Sequence, residues 1–312
     1  MSEIDETADP AALIEAYYDA GWTDGLPVVP PSDRSIAAML AAAGLDGSEE
    51  LGAITGRNAV VTAEKAAINA VMAGCRPEYM PVVVAAVKSL CAPAFAYHGP
   101  ASSTGGSAMA LVVNGPITRR LEINSGNNAL GRCPWPNATI GRAVRLIMMN
   151  AMNTRPGLLD RATLGNPGKY SFCFAEHEED HPWEPLLYCF ADALGNVGTS
   201  NLLGFNETLI VFAGEHQEVL QKAGWSRLDV QRFLMERTRR TVADYKRGAR
   251  LPGPVTPADE TTWRYRFERP EDILIAFAGG RAGSWSACLP GWGTKWTRSV
   301  TTRIELPEGD PT

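Results

Sequence analysis

Between His98 and Glu184 the chain breaks short apolar runs with glycine, asparagine and single charges. The segment reads YHGPASSTGGSAMALVVNGP, then LEINSGNNALGRCPWPNATIGR, then GNPGKYSFCFAEHEEDHPWEP. Turns built from Gly and Asn reach backbone conformations that other residues avoid and bring main-chain amides close to a ligand. A long turn-rich stretch inside a compact domain is usually functional. Its reactive residues are Lys169, Cys173 and Glu176: a cation, a thiol and a carboxylate placed to share one strand end. Cys75 is a fourth, because Arg76 and the start of a helix at Pro77 both favour a thiolate. In this reading Lys169 and Arg142 hold an anion, and the amides of Thr104, Gly105 and Gly106 stabilise developing negative charge. Glu176 or Cys173 then acts as base or nucleophile. Asn114, Asn124, Asn127, Asn137 and Ser171 orient a small polar molecule, and Asp24 reaches in from a Thr-Asp-Gly turn. Gly279, Gly280 and Ser286, in GGRAGSWS, offer amides to an anion. Plainer roles stand beside these: Cys75 as a buried thiol in a helix hairpin, Cys173 as a core cysteine, and residues 279–286 as a tight β-turn.

Three motifs test more specific chemistry. HEEDH at 177–181 matches the H-E-x-x-H zinc-protease pattern, but that pattern needs a helix, and this run follows a strand and is stopped by Pro182. A looser divalent-metal site from His98, His177 or His181 with Glu176 or Glu178 stays open. SSTGGSAMA (102–110) is similar to the Gly-Ser segment of amidase-signature hydrolases, where a serine nucleophile is served by a second serine and a lysine; here it feeds a strand. GGRAGSWS precedes another strand, so the helix that P-loop and dinucleotide fingerprints require is missing.

The elements that must position these residues follow from periodicity and punctuation. Helices are predicted at 10–20, at 33–43 with Ser32 or Asp33 as cap and Gly44 as stop, at 63–73, and at 77–91 with Pro77 in its first turn. A strand is expected around 51–61, a buried one at 109–116, and an alternating one at 170–176. A helix at 137–153 is capped by Asn137 or Thr139. Strands at 207–214 and 271–280 enclose helices at 215–224 and 226–248, and SWSACLP and RSVTTRIELP are final strands. This mixture predicts an α/β (or α+β) fold: a compact mixed sheet packed by helices. Residues 1–312 form one globular domain, with a helical part at 1–92 and an α/β part at 93–312.

Composition narrows the function classes. A chain of 312 residues with 45% hydrophobic content can bury one large core, and a formal charge of −6 argues against nucleic-acid binding. The basic cluster Arg237, Arg239, Arg240, Lys246, Arg247 and Arg250 reads as the solvated end of a helix. The acidic N-terminus lacks the pattern of a secretory signal, and no apolar run approaches the ~20 residues of a membrane span. Six cysteines without a CxxC pair predict reduced thiols and a cytoplasmic protein, and argue against zinc ribbons.

Longer blocks carry a resemblance: WTDGLPVVPPS (22–32), EKAAINAVMAGCRPEYMPVVVAAV (64–87), VVNGPITRRLEINSGNNALG (112–131), NATIGRAVRLIMMN (137–150), LGNPGKYSFCFAEHEEDHPWEPL (164–186), GWSRLDVQRFLMERTR (224–239) and ILIAFAGGRAGSWSACLPGWG (273–293). Over nearly its full length the chain resembles the largely uncharacterised bacterial proteins related to the UGSC family. That resemblance implies no assigned reaction. The chain contains no Cys-Gly-Ser-Cys, so a redox role tied to the family's name does not follow. Three functions therefore stand as expectations. The first is a hydrolase or lyase acting on a small polar, anionic substrate. The second is a metal-dependent enzyme using His98, His177 or His181. The third is a non-catalytic binding subunit, with the eight tryptophans lining an interface or pocket. A homo-oligomer or a hetero-complex with a second subunit is expected, with no nucleic-acid or membrane partner.

Overall fold

A computed structural model describes residues 9–131, 134–179, 199–205, 210–213, 224–247, 251–265, 268–270, 275, 278–279, 285–288 and 300–307. Its first part holds helices α1 (Pro10–Asp19) and α2 (Asp33–Ala43), strands β1 (Glu50–Ile54) and β2 (Ala59–Thr62), and helices α3 (Ala63–Ala73) and α4 (Met80–Cys91). The short α5 (His98–Ser102) leads to β3 (Ala108–Asn114), α6 (Ile117–Arg120), the long α7 (Trp135–Asn150) and β4 (Cys173–Ala175). Later strands are β5 (Thr199–Phe205), β6 (Ile210–Ala213), β7 (Arg240–Thr241), β8 (Trp263–Arg264), β9 (Trp285–Cys288) and β10 (Val300–Arg303). Helices Arg227–Thr238, Val242–Arg247 and Pro257–Thr261 lie among them.

Local signals account for the helix ends. Ser32 and Ser35 form a reciprocal capping box on α2, and Gly44 ends it in the left-handed region. Thr62 caps α3 by accepting from the Lys65 amide, and Gly74 closes it at φ 87°. The chain then enters α4 through a single 3₁₀ turn at Pro77–Tyr79. Helix α4 is buried on most sides.

The main sheet runs β10–β5–β3–β4. Pairing is antiparallel between β10 and β5 and between β5 and β3, and parallel between β3 and β4, with Leu111 opposite Cys173 and Val113 opposite Ala175. This is the mixed, helix-packed sheet of an α/β fold. Alternation sorts β3 between two faces. Met109, Leu111 and Val113 join the large apolar cluster with Ile140, Val144 and Ile147 of α7 and the valines of α4. Val112 faces the other way, against Phe174 and Ala129.

Some boundaries differ from expectation. The single strand at 51–61 is a hairpin: a 3₁₀ turn at Thr55–Arg57 and a left-handed Asn58 (φ 49°) reverse the chain between β1 and β2. The helix expected over 226–248 breaks at Arg239, which is extended. Thr241 and Asp244 then cap the start of a new helix, each accepting from the other's amide. The strand at 170–176 is regular only over Cys173–Ala175, because residues 167–169 form a 3₁₀ turn. The expected helix 215–224 and most of the strand 271–280 fall outside the described residues. In the basic cluster Arg239 pairs with Glu236 and stacks on Trp263, Lys246 pairs with Asp259, and Arg247 with Asp244 and Glu260. These charges are matched locally, as a solvated face requires. Among the described residues no helix is long and apolar enough to cross a membrane.

Candidate functional site

The parallel pair β3–β4 sets the geometry. Binding sites of open α/β sheets gather beyond the carboxyl ends of parallel strands. At that end β3 finishes in Asn114 and β4 runs into Glu176. The Glu176 amide donates to the Val113 carbonyl, and the Ala175 amide to the carbonyl of Asn124. Asn114 is fully buried, and its Nδ2 donates to both Glu176 and Glu178. Glu178 Oε1 lies 3.1 Å from that nitrogen and 2.7 Å from the Gly115 amide, from which it also accepts. One side-chain amide thus holds two carboxylates, of which Glu176 is buried and Glu178 half-buried.

The asparagine loop borders this end. Asn124 shapes its own turn, accepting from the Gly126 amide and donating to the Asn127 carbonyl. Gly279 lies alongside, donating its amide to the Ser125 carbonyl at 2.7 Å, with φ at 120°. Asn137, in the first turn of α7, fastens the loop to the sheet. Its Oδ1 accepts from the Asn124 amide at 2.8 Å, while Nδ2 donates to the carbonyls of Asn124 and Cys173. Ser171 donates to the carbonyls of Asn137 and Ala138. Close contact between α7 and β4 needs Gly141: a Cβ there would stand 2.4 Å from Ser171 Oγ and 2.8 Å from the Phe172 amide nitrogen.

Lys169 belongs to the opposite end of the strands. Its Nζ donates to Asp160 Oδ1 at 2.7 Å, and Arg145 Nη2 donates to Asp160 Oδ2 at 3.0 Å. The amide of Ala162 completes the first oxygen. The flanking cations hold the Asp160 carboxyl below its ordinary range despite burial, whereas burial and Arg145 push the Lys169 ammonium down against the pull of Asp160. This cluster abuts the Gly-Ser turn at the start of β3. The Thr163 amide donates to the Thr104 carbonyl, Asn166 Nδ2 donates to the Gly106 carbonyl, and a Cβ on Gly106 would stand 2.7 Å from Gly165 Cα. The seven residues of β3 span ~20 Å between the Gly-Ser turn and Asn114, so Lys169 and Glu176 do not share a strand end.

Other expected roles are corrected by their partners. Arg142 does not wait for an anion: Nε and Nη2 clamp both oxygens of Asp24 at 2.9 and 2.8 Å, and Nη2 also reaches the Leu26 carbonyl. Asp24 is therefore an ion-pair partner. The Gly105 amide donates to Ser103 Oγ, and the Gly106 amide to the Ser103 carbonyl, so two of the three expected amides close their own turn. Cys75 is buried and its thiol is pushed up to about 12, chiefly by desolvation, which outweighs its contacts with Thr139 and Arg142. Cys173 lies buried in β4. His98 Nδ1 faces the Arg57 guanidinium at 3.4 Å. Among the described residues no three His, Cys, Asp or Glu side chains converge on one point that a metal ion could occupy. His181 and Gly280 lie outside the described residues, and Ser286 is described only as part of strand β9.

Arg145 and Asp160 were missed by sequence reasoning. Arg145 lies one helical turn beyond Arg142, and spacing alone did not separate the two. Asp160 sits in an unremarkable LLDRA loop. No family model matches the chain, and no curated protein or solved structure matches it.

Proposed function

We propose that this chain is an enzyme cleaving a small polar substrate, by hydrolysis or elimination, at the carboxyl ends of β3 and β4. The observation that carries this reading is the pair of glutamates, Glu176 and Glu178, held on the one Asn114 amide. Two carboxylates fixed a few ångströms apart supply a proton acceptor and a donor to the same bond, which both reactions need. Asn114 sets their geometry, and the asparagine loop with Gly279 forms the adjoining wall. Arg142 and Lys169 drop out of this end because Asp24 and Asp160 hold them, so the substrate here need not be an anion. Kinship with UGSC-related proteins remains part of the proposal on the strength of the sequence blocks alone.

The test is substrate profiling by mass spectrometry, in which the protein is incubated with a mixture of small metabolites and depleted compounds are recorded. The expected result is one compound class consumed by the wild type and spared by Glu176→Gln and by Glu178→Gln, with melting temperatures unchanged. Equal turnover in wild type and both variants would remove the carboxylates from the chemistry.

A further inference from the structure

At the other end of the strands, charges are unbalanced in a buried place. Arg145 and Lys169 flank Asp160 with side-chain exposures of 10%, 15% and 4%, so two cations share one carboxylate. Both oxygens of Asp160 are already used, by Arg145, Lys169 and the Ala162 amide. Arg145 makes one hydrogen bond among the described residues, from Nη2, and its remaining N–H groups are not matched there. They are not sealed in either. Neither Nε nor Nη1 of Arg145 is among the fully buried side-chain atoms of the described residues that lack a partner. The unused donors of Arg145 therefore keep some exposure, in keeping with the 10% exposure of its side chain.

The surroundings deepen the positive field. Arg57 lies over the Tyr97 ring at 4.9 Å, and both Arg57 and Arg145 act electrostatically on the Tyr97 hydroxyl, which burial keeps neutral. Gly106 and Gly165, in van der Waals contact, lay the Lys169 stem beside the Gly-Ser turn, where a Cβ on Gly165 would be 3.4 Å from Lys169 Cδ. A buried cation is costly unless paired, and a guanidinium left with unused donors is most readily completed by a planar carboxylate.

We infer that Arg145, supported by Lys169, forms a binding site for a small organic carboxylate, separate from the paired glutamates. The excess of one positive charge fits one carboxylate, and the open fork gives it two parallel hydrogen bonds.

The probe is acetate, observed by saturation-transfer NMR on the full chain at constant ionic strength with chloride as the balancing ion. Transfer from protein to the acetate methyl is expected in the wild type and should vanish in Arg145→Met, in which a neutral Asp160–Lys169 pair remains. Arg145→Lys, which keeps the charge and loses the fork, should bind acetate ~10-fold more weakly or worse, and it carries the test should Arg145→Met fail to fold. No transfer in the wild type, equal transfer in the variants, or displacement of acetate by an equal concentration of phosphate would each overturn the assignment.

Discussion

Replacing Asp160 with asparagine isolates the energetics of the Arg145–Asp160–Lys169 cluster. The substitution keeps the size and one acceptor oxygen but removes the negative charge between two buried cations 3.0 and 2.7 Å away. At an effective dielectric of ~20, a unit ion pair 3 Å apart is worth ~5 kcal/mol before desolvation is counted. Much of that is returned as the carboxylate regains water, whereas the cations left behind do not. Removing one partner of a buried pair costs ~3–5 kcal/mol, a large share of the ~5–15 kcal/mol that holds a domain folded. Arg145→Met, by contrast, leaves Asp160 matched by Lys169 and should cost less than Asp160→Asn.

Urea unfolding at pH 7 checks both expectations. The double variant Asp160→Asn/Arg145→Met should be more stable than Asp160→Asn alone, because the repulsion it leaves is smaller. The pH dependence adds a signature. Asp160 has its folded pKa below 3.8, so its stabilisation is complete above that value and is lost as pH falls through the folded pKa. Lys169 has its folded pKa below 10.5, so the unfolded chain binds the extra proton there and stability rises as pH climbs toward 10.5. The acid limb should flatten in Asp160→Asn. An Asp160→Asn protein within 1 kcal/mol of wild type, or one no less stable than Arg145→Met, would refute the reasoning.

Two further substitutions or modifications probe the packing. With its thiol near pKa 12, Cys75 carries ~10⁻⁴ of its population as thiolate at pH 8. Peptide mapping after brief alkylation of native protein should find it unmodified and should find it labelled once urea is added; rapid native labelling would contradict its burial. Gly141→Ala should destabilise by ~1–3 kcal/mol in urea, because the new methyl meets the backbone nitrogens of Phe172 and Cys173 at 2.8 and 3.2 Å, which cannot swing away. An alanine variant as stable as wild type would mean that α7 and β4 are not held that closely.

Legibility in the sequence followed the range of the interaction. Ser32, Gly44, Thr62 and Gly74 act within one turn of chain, and the helices they bound appeared where expected, while the helix expected from Pro77 begins at Met80 after a 3₁₀ turn. The break at Arg239 had a local signal as well, the Thr241–Asp244 cap, but it was hidden inside a stretch of good helix formers. The separation of Lys169 and Glu176 was also readable, since the strand expected over 170–176 already sets them at its two ends. Partner choice was not readable. Arg142 reaches back to Asp24 across 118 residues, and only the assembled fold shows that its neighbour Arg145 turns to Asp160 instead. Asn114 between two glutamates is likewise a product of strand pairing: Val113 opposite Ala175 sets Asn114 beside Glu176.

The polar residues of α7 show why a ligand-binding reading overreached. Asn137 fastens the asparagine loop, Arg142 the turn at residues 24–26, Arg145 the loop through Asp160, and Asn150 the Trp22 carbonyl. Each of those segments lacks regular structure, so its backbone and side-chain polar groups must find partners elsewhere. A buried helix that faces three such segments needs polar side chains for that reason alone. The same residue types would serve a ligand, and sequence offers no way to tell the two uses apart. Counting donors does: among the described residues Asn137 spends its side-chain amide on two carbonyls and Arg142 makes three hydrogen bonds to protein acceptors, whereas Arg145 makes one, to Asp160. That difference separates a loop anchor from a binding group, and it is why Arg145 carries the carboxylate site.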